Sequence, residues 1–297
     1  MLPFSSPVIE IIRQRYSCRG YNKTPIAAEH ASQLGAFAES IQRGPLGTSL
    51  RFELIAATEQ DRGSLRGLGT YGLIKDPGGF IAGAVGQGKN KLEDFGYEME
   101  TVILYATSIG LATCWLGGNF TKSSFSRKIQ ATRGEIVPAV ASIGYPAEGI
   151  RTRDRLRQQV KSDTRLAWEA LFFRSDFGHP LSRESTGVYA GPLEMLRLAP
   201  SAHNFQPWRV IQDGSCYHFY LQRTQGFGPG TPMFILLGIA DLQRMEMGIA
   251  MCHFELTARE FGLDGKWEVL EPAGVQPGNM CEYVVTWIGE RRTGEAM

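Results

Sequence analysis

The longest unbroken helical pattern runs from about Asp94 to Ala112, where Met99, Val102, Ile103, Ala106 and Ile109 recur at three- and four-residue spacing. Such a pattern predicts a helix buried over much of its surface. Ahead of it, Val8, Ile11 and Ile12 place a short helix over Pro7 to Arg15, ending in the polar run Arg13 to Arg19. A second helix is expected from about Ile26 to Ile41, stopped by Gly44-Pro45. Phe52 to Ala57 and Phe80 to Val85 read as strands, the second entered from the glycine-rich loop Gly69 to Gly79. Cys114 to Gly118 follows the long helix, then a short helix near Lys122 to Ile129 and a strand over Val137 to Gly144. Further on, Thr164 to Phe173 predicts another helix, and Phe177 to Tyr189 an irregular crossover.

The stretch Leu198 to Arg209 reads as a helix end, a polar turn and a strand containing Trp208, Val210 and Ile211. Pro200 cannot continue a helix interior. Ser201, His203, Asn204 and Gln206 then offer hydrogen-bonding groups between two prolines. That arrangement suits either a Pro-stiffened connection or a clasp for a polar ligand.

The second half of the chain repeats the first. Gly96, Gly110-Leu111 and Trp115 recur as Gly248, Gly262-Leu263 and Trp267, each 152 positions later (248 − 96, 262 − 110, 267 − 115). Helix Tyr97 to Ile109 thus corresponds to Met247 to Phe261. By the same alignment Phe80 to Val85 matches Phe234 to Ile239 as a strand, and Val140 to Gly144 matches Val285 to Gly289. Gly44-Pro45 matches Ala199-Pro200. The period is far too long for a solenoid, so two α+β units are expected to pack about a pseudo-two-fold axis, as a pseudo-dimer within one chain. The halves divide at 1–161 and 162–297.

Composition adds exclusions. Thirty-one basic residues face 30 acidic ones, which offers nothing to nucleic acid or to an anionic membrane. No apolar run reaches membrane-spanning length and no basic-then-apolar leader opens the chain. Five scattered cysteines without a Cys-x-x-Cys pair fit reduced thiols in a cytoplasm and offer no zinc site. Cys252 and His253 read as packing residues. One motif, Gly83 to Asn90, falls one residue short of a phosphate-binding P-loop, with Asn90 where the metal-coordinating Ser or Thr belongs.

The two copies have diverged in complementary ways. The first keeps Arg15-x-Ser17-x-Arg19, whose guanidinium forks and hydroxyl suit a phosphate, and the second offers only Arg174-Ser175. The second keeps Pro200-Ser201-x-x-Asn204, which the first has lost after Pro45. One retained site and one abandoned site are expected.

Arg13 to Tyr21 resembles the opening Arg-x-Ser-x-Arg signature of the nitroreductase family of flavoproteins, and Ala199 to Arg209 is similar to its second signature. Gly110 to Gly118 and Val137 to Glu148 resemble two more. Order and duplication match the tandem, single-chain subfamily. The resemblance implies FMN at the junction of the halves, with Arg15, Ser17 and Arg19 at the phosphate and ribityl end. It implies the Leu116, Gly117 and Gly118 backbone near the reactive edge of the ring, and Pro200, Ser201, Ala202, Asn204 and Gln206 from the other half. Arg153 and Arg155 would supply the family's basic pair, and Lys75 a contact at the flavin's polar edge. It further implies NAD(P)H as electron donor, an electron-poor small molecule such as a nitroaromatic or quinone as acceptor, and a ping-pong sequence. In that chemistry no side chain serves as nucleophile, acid or base, and no metal takes part. A monomer is expected, since the pseudo-dimer is covalent. A flavin- or small-ligand-binding module without catalysis is the alternative.

Overall fold

A computed structural model describes residues 4–57 and 63–290, without the side chains of Thr152 and Arg153. The N-terminal half contains α1 (Val8–Gln14), α2 (Ala28–Ser40), β1 (Leu50–Ala56), β2 (Gly79–Val85), α3 (Lys91–Ser108), β3 (Ala112–Leu116), α4 (Lys122–Lys128) and β4 (Val140–Gly144). The short helices α5 (Ile150–Arg153) and α6 (Arg155–Gln159) lead into the second half. There follow β5 (Phe172–Arg174), α7 (Ala190–Arg197), β6 (Trp208–Asp213), β7 (Cys216–Gln222), α8 (Pro232–Leu237), α9 (Leu242–Glu260), β8 (Gly265–Glu268) and β9 (Cys281–Gly289).

The repeat is visible in the sheets. The first runs β1-β2-β4-β3, wholly antiparallel, and the second runs β5-β6-β7-β9-β8 with the same order after its extra edge strand. That extra strand, β5, is parallel to β6. The recurring Gly-Leu pairs are helix stops. Gly110 (φ 82°) and Gly262 (φ 68°) take the left-handed conformation after α3 and α9. Leu111 N–H donates to the Ala106 carbonyl and Leu263 N–H to the Ala258 carbonyl. This 6→1 closure buries the following leucine.

Between the sheets α3 and α9 cross, and both recurrent glycines sit at the crossing. A Cβ on Gly96 would stand 2.0 Å from the Met245 carbonyl oxygen, and one on Gly248 would stand 2.0 Å from the Glu93 carbonyl oxygen. Each helix therefore approaches the other's backbone directly, and the approach is reciprocal, as pseudo-two-fold symmetry requires. The halves also share cores, since α1 buries Val8, Ile11 and Ile12 among the C-terminal apolar residues while Met245 joins the N-terminal ones.

Four expectations are corrected. The long helix ends at Ser108, because Gly110 stops it, and Ala112 to Leu116 forms β3. Phe234 to Ile239 is no strand: Pro232 opens α8 at its first turn and Gly238 (φ 58°) closes it. The true counterpart of β2 is β7. Residues 164–173 form a single 3-10 turn at Trp168–Ala170 and then β5, because neighbouring side chains take the backbone groups a helix would use. His253 is buried but does more than pack, since both ring nitrogens meet polar partners, the Met195 carbonyl and Glu100; Cys252 lies in the core beside the Thr101 hydroxyl. The P-loop-like glycines have a packing reason, since a Cβ on Gly83 would strike Phe52 and Phe95. The first turn of α3 carries Glu93 and Asp94, which repel a phosphate. No helix among the described residues is long and apolar enough to cross a membrane.

Gly96→Ala and Gly248→Ala are each expected to destabilise the protein by roughly 1–3 kcal/mol or more, because the added methyl meets backbone that cannot rotate aside. Gly35→Ala, in open space on α2, is expected to stabilise by about 0.5–1 kcal/mol. Urea unfolding of the three variants checks this; equal midpoints for all three would contradict the crossing.

Candidate functional site

The Arg15–Arg19 segment leaves α1 and lies beside β3. Ser17 bridges Thr113 in parallel register and Cys18 N–H donates to the Thr113 carbonyl at 2.8 Å. The arginine signature is thus held next to the strand that carries Leu116 into Gly117 and Gly118. Arg15 is nearly out of solvent, its side chain 6% exposed, with Nε 3.4 Å from Glu100 Oε1. Burial lowers its pKa, the Glu100 charge opposes that, and Arg157 adds to it. Arg19 donates to Asp154 at 2.8 Å, and Asp154 also caps α6 through the N–H groups of Leu156 and Arg157. Lys75 lies beside this segment by its backbone: its N–H donates to the Arg19 carbonyl and its carbonyl accepts from Tyr21 N–H. Its side chain is exposed.

Basic residues other than the expected pair converge here. Arg153 lies, by its side chain, outside the described residues, and Arg155 is exposed. Arg151 and Arg157 cover the Tyr16 ring, at 5.2 and 5.4 Å from its centroid. Arg157 is buried and pairs with Asp163. Arg165 donates to the carbonyls of Ser162, Thr164 and Leu198. Its own burial, then the charges of Arg15 and Arg197, bring its pKa down to about 10. The Nε atoms of Arg15, Arg19, Arg157 and Arg165 are all buried without a hydrogen-bond partner. Buried guanidinium donors left without acceptors form an environment that favours a multivalent anion.

The Pro200 turn meets this cluster through the connecting segment. Asn204 Nδ2 donates to the carbonyls of Lys161 and Thr164, and Gln206 Oε1 accepts from Leu166 N–H at 2.8 Å. The side chains of Asn204 and Gln206 are therefore engaged with residues 161–166, and Ser201 Oγ accepts from Gln206 N–H. His203, Asn204 and Gln206 all have positive φ (50°, 60° and 51°), an unusual concentration for residues with a Cβ. Ala202 N–H donates to Glu246 Oε1 at 2.7 Å, and Glu246 Oε2 is buried without a partner. In the first half, Asp94 accepts from Leu46 and Thr48 N–H in the matching turn. Asp94 and Glu246 are 152 positions apart, so the repeat offset pointed to Glu246, which sequence reasoning passed over.

Beneath the site, Glu100 joins four elements. Its Oε1 lies 3.0 Å from His253 Nε2, its Oε2 accepts from Trp115 Nε1 at 2.7 Å, and Arg15 stands alongside. Burial alone would raise the Glu100 carboxyl, but Arg15, His253 and Trp115 outweigh it and hold the pKa low. Glu100, His253, Arg157 and Arg165 were missed: single ionisable residues within apolar or charged runs carry no signal until their partners are in place. At the other end, a Cβ on Gly117 would stand 2.4 Å from Leu242 Cδ2, and one on Gly118 2.9 Å from Ile239 Cδ1. The Gly117-Gly118 backbone is thus met by apolar side chains of the second half.

Residues 7–258 match the family described as "Putative TM nitroreductase", and the chain belongs to that family. Among solved structures it is similar to a "putative nitroreductase" from Thermotoga maritima, with a TM-score of 0.57 and 18% identity over 95% of this chain and 94% of that one. That likeness is one of fold. A nitroreductase with bound FMN from Bacteroides fragilis matches 49% of this chain and 91% of its own, at 20% identity and TM-score 0.37. A "putative nitroreductase" in complex with FMN from Exiguobacterium sibiricum matches 50% and 92%, at 16% identity and TM-score 0.39. No curated protein matches the chain.

Burial pushes the Glu246 carboxyl up to about 8, against the lowering effect of the Ala202 hydrogen bond. Folded protein then holds a proton that unfolded chain has released between about pH 4.5 and 8, so stability falls as pH rises through that window. Glu246→Gln keeps an acceptor for Ala202 and is expected to remove roughly 3–5 kcal/mol of that fall. Thermal melts of both proteins across pH 5–9 check this; parallel curves would contradict it.

Proposed function

We propose that the chain binds one FMN at the junction of its halves and works as an NAD(P)H-dependent flavin oxidoreductase. The observation that carries this reading is a set of four arginines, Arg15, Arg19, Arg157 and Arg165, whose Nε atoms are buried without a hydrogen-bond partner, two of them in the family signature itself. These residues fit a flavin phosphate. Arg15 and Arg157 would hold it, Arg19 and Arg165 would complete the charge, and Ser17 would add a hydroxyl donor. When bound, FMN supplies two-electron exchange between a nicotinamide donor and an electron-poor acceptor, each taking its turn at one ring face. The chain's own part is to hold and shape. Asp154 fixes Arg19, Glu100 fixes Arg15, and Glu246 with Ser201 fixes the strained Pro200–Gln206 turn from the other half. The second half lends no second arginine signature, so the proposal is one site per chain, in a monomer.

A second reading, a flavin- or small-ligand-binding module without turnover, is favoured by the packing of Leu242 and Ile239 against Gly117 and Gly118. That packing fills the place that the resemblance gives to the edge of the ring. Steady NADH or NADPH oxidation by the FMN-loaded protein with a quinone acceptor supports the enzyme; bound flavin without turnover supports the module.

Arg15→Ala is expected to weaken FMN binding by about 1.5–3 kcal/mol, the value of a charge-assisted hydrogen bond, or roughly 10- to 150-fold. Flavin fluorescence titration checks this, and unchanged affinity removes the phosphate assignment. Light scattering is expected to give the mass of one chain; a dimer would contradict the single-chain pseudo-dimer as the working unit.

A further inference from the structure

His253 on α9 belongs to the second half and lies beyond every residue the family signatures point to. It is fully buried, and both of its ring nitrogens are engaged. Nδ1 lies 3.0 Å from the Met195 carbonyl oxygen and Nε2 lies 3.0 Å from Glu100 Oε1. A carbonyl oxygen accepts only, so Nδ1 must carry a proton. The facing carboxylate is also acceptor-only once ionised; Trp115 Nε1 donates to its other oxygen, and the Arg15 guanidinium, whose Nε lies 3.4 Å from Oε1, favours the ionised form by its charge. Nε2 must then carry a proton as well. Against an ionised Glu100, which Arg15 and Trp115 favour, the hydrogen-bond inventory calls for a proton on both ring nitrogens.

We infer that His253 is a buried imidazolium that shares Glu100 with Arg15 and thereby positions Arg15 for an anion. Two cations then divide one carboxylate, and the group keeps one net positive charge. Glu100 spends Oε1 chiefly on His253, at 3.0 Å, and meets Arg15 only at 3.4 Å, outside good hydrogen-bond geometry. Arg15 is oriented without being neutralised. Arg157 and Arg151 add cationic charge around Arg15, Asp163 is already paired with them, and Cys114, the other group that acts on Arg15, is a thiol that burial pushes up to about 11 and so carries no charge near neutral pH. The complement to such a centre is a doubly charged oxyanion, a phosphate monoester. His253 is a positioning residue: it acts through Glu100 from the opposite half, so the anion site is complete only where α3 and α9 dock. This rests on the anion-binding part of the proposed function but not on turnover.

The test is nitrogen-15 NMR of the full chain, histidine-labelled and free of flavin, at neutral pH, alongside titration with inorganic phosphate and FMN. The chain holds five histidines, and His253→Gln assigns the signal by its loss. Where that variant fails to fold, contacts of the ring N–H protons with Met195 and Trp115 assign it in the wild type. The expected result is two protonated nitrogens on His253 and phosphate binding about tenfold weaker in His253→Gln, for loss of one nearby charge. In a poorly folding variant, His253→Lys restores the charge and is expected to restore most of the affinity. A pyridine-type, unprotonated nitrogen on His253 overturns the inference, as does unaltered phosphate affinity in His253→Gln. Wild-type protein that takes up neither phosphate nor FMN overturns the proposed function whatever the state of the ring, so the two failures are distinguishable.

Discussion

Everything in this molecule depends on two helices being able to touch backbone to backbone. Gly96 and Gly248 remove the side chains that would hold α3 and α9 apart, and each faces the other helix's carbonyl at a distance no Cβ tolerates. Close approach at the crossing does more than stabilise. It brings Glu100 of one half within hydrogen-bonding distance of His253 of the other, and it sets Arg244 against the buried Glu93. Ionisable groups withdrawn from water in this way are costly unless each finds partners, and here the partners come from across the pseudo-two-fold axis. The same contact that joins the halves builds the floor of the site.

Divergence of the copies then follows from position. Each half uses a carboxylate at the matching point of its central helix, Asp94 or Glu246, to hold a turn after a proline. In the first half both carboxylate oxygens are engaged and the turn is plain. In the second, one oxygen is left alone and the turn carries three residues with positive φ. Strain present in one copy and absent from the other accords with the proposal that the second copy's turn serves the site. The connecting segment after α6 is the other asymmetric element. It has no equivalent in the first half, and it ties the arginine cluster to the Pro200 turn through Asn204, Gln206 and Arg165.

Much of this was legible in the sequence where residues of unusual conformational need recur. The glycine pairs at a fixed offset of 152 revealed the duplication, whereas their parts as helix stops and as the crossing point emerge only in the backbone, at places that only glycine can fill. The Arg15–Arg19 signature was legible because it is dense in chemistry. The fate of Phe234 to Ile239 was harder to read, since an apolar run of six suits a buried strand or a short helix equally, and Pro232 was the deciding residue. The segment 164–173 was lost for a different reason: side chains forty residues away take its backbone groups, and periodicity holds no trace of that. The resemblance pointed to Arg153 and Arg155 and gave no reason to single out Arg157 in the same charged run or Arg165 beyond it; two short helical turns present Arg151 and Arg157 to Tyr16.

The central claim is a single hybrid site assembled from both halves. Its most direct test is the visible absorbance spectrum of purified protein after loading with excess FMN and washing, read as flavin per chain. The account predicts one FMN per chain. Two would mean that the second arginine signature was never needed, and none after reconstitution would leave the fold standing while contradicting the flavin site.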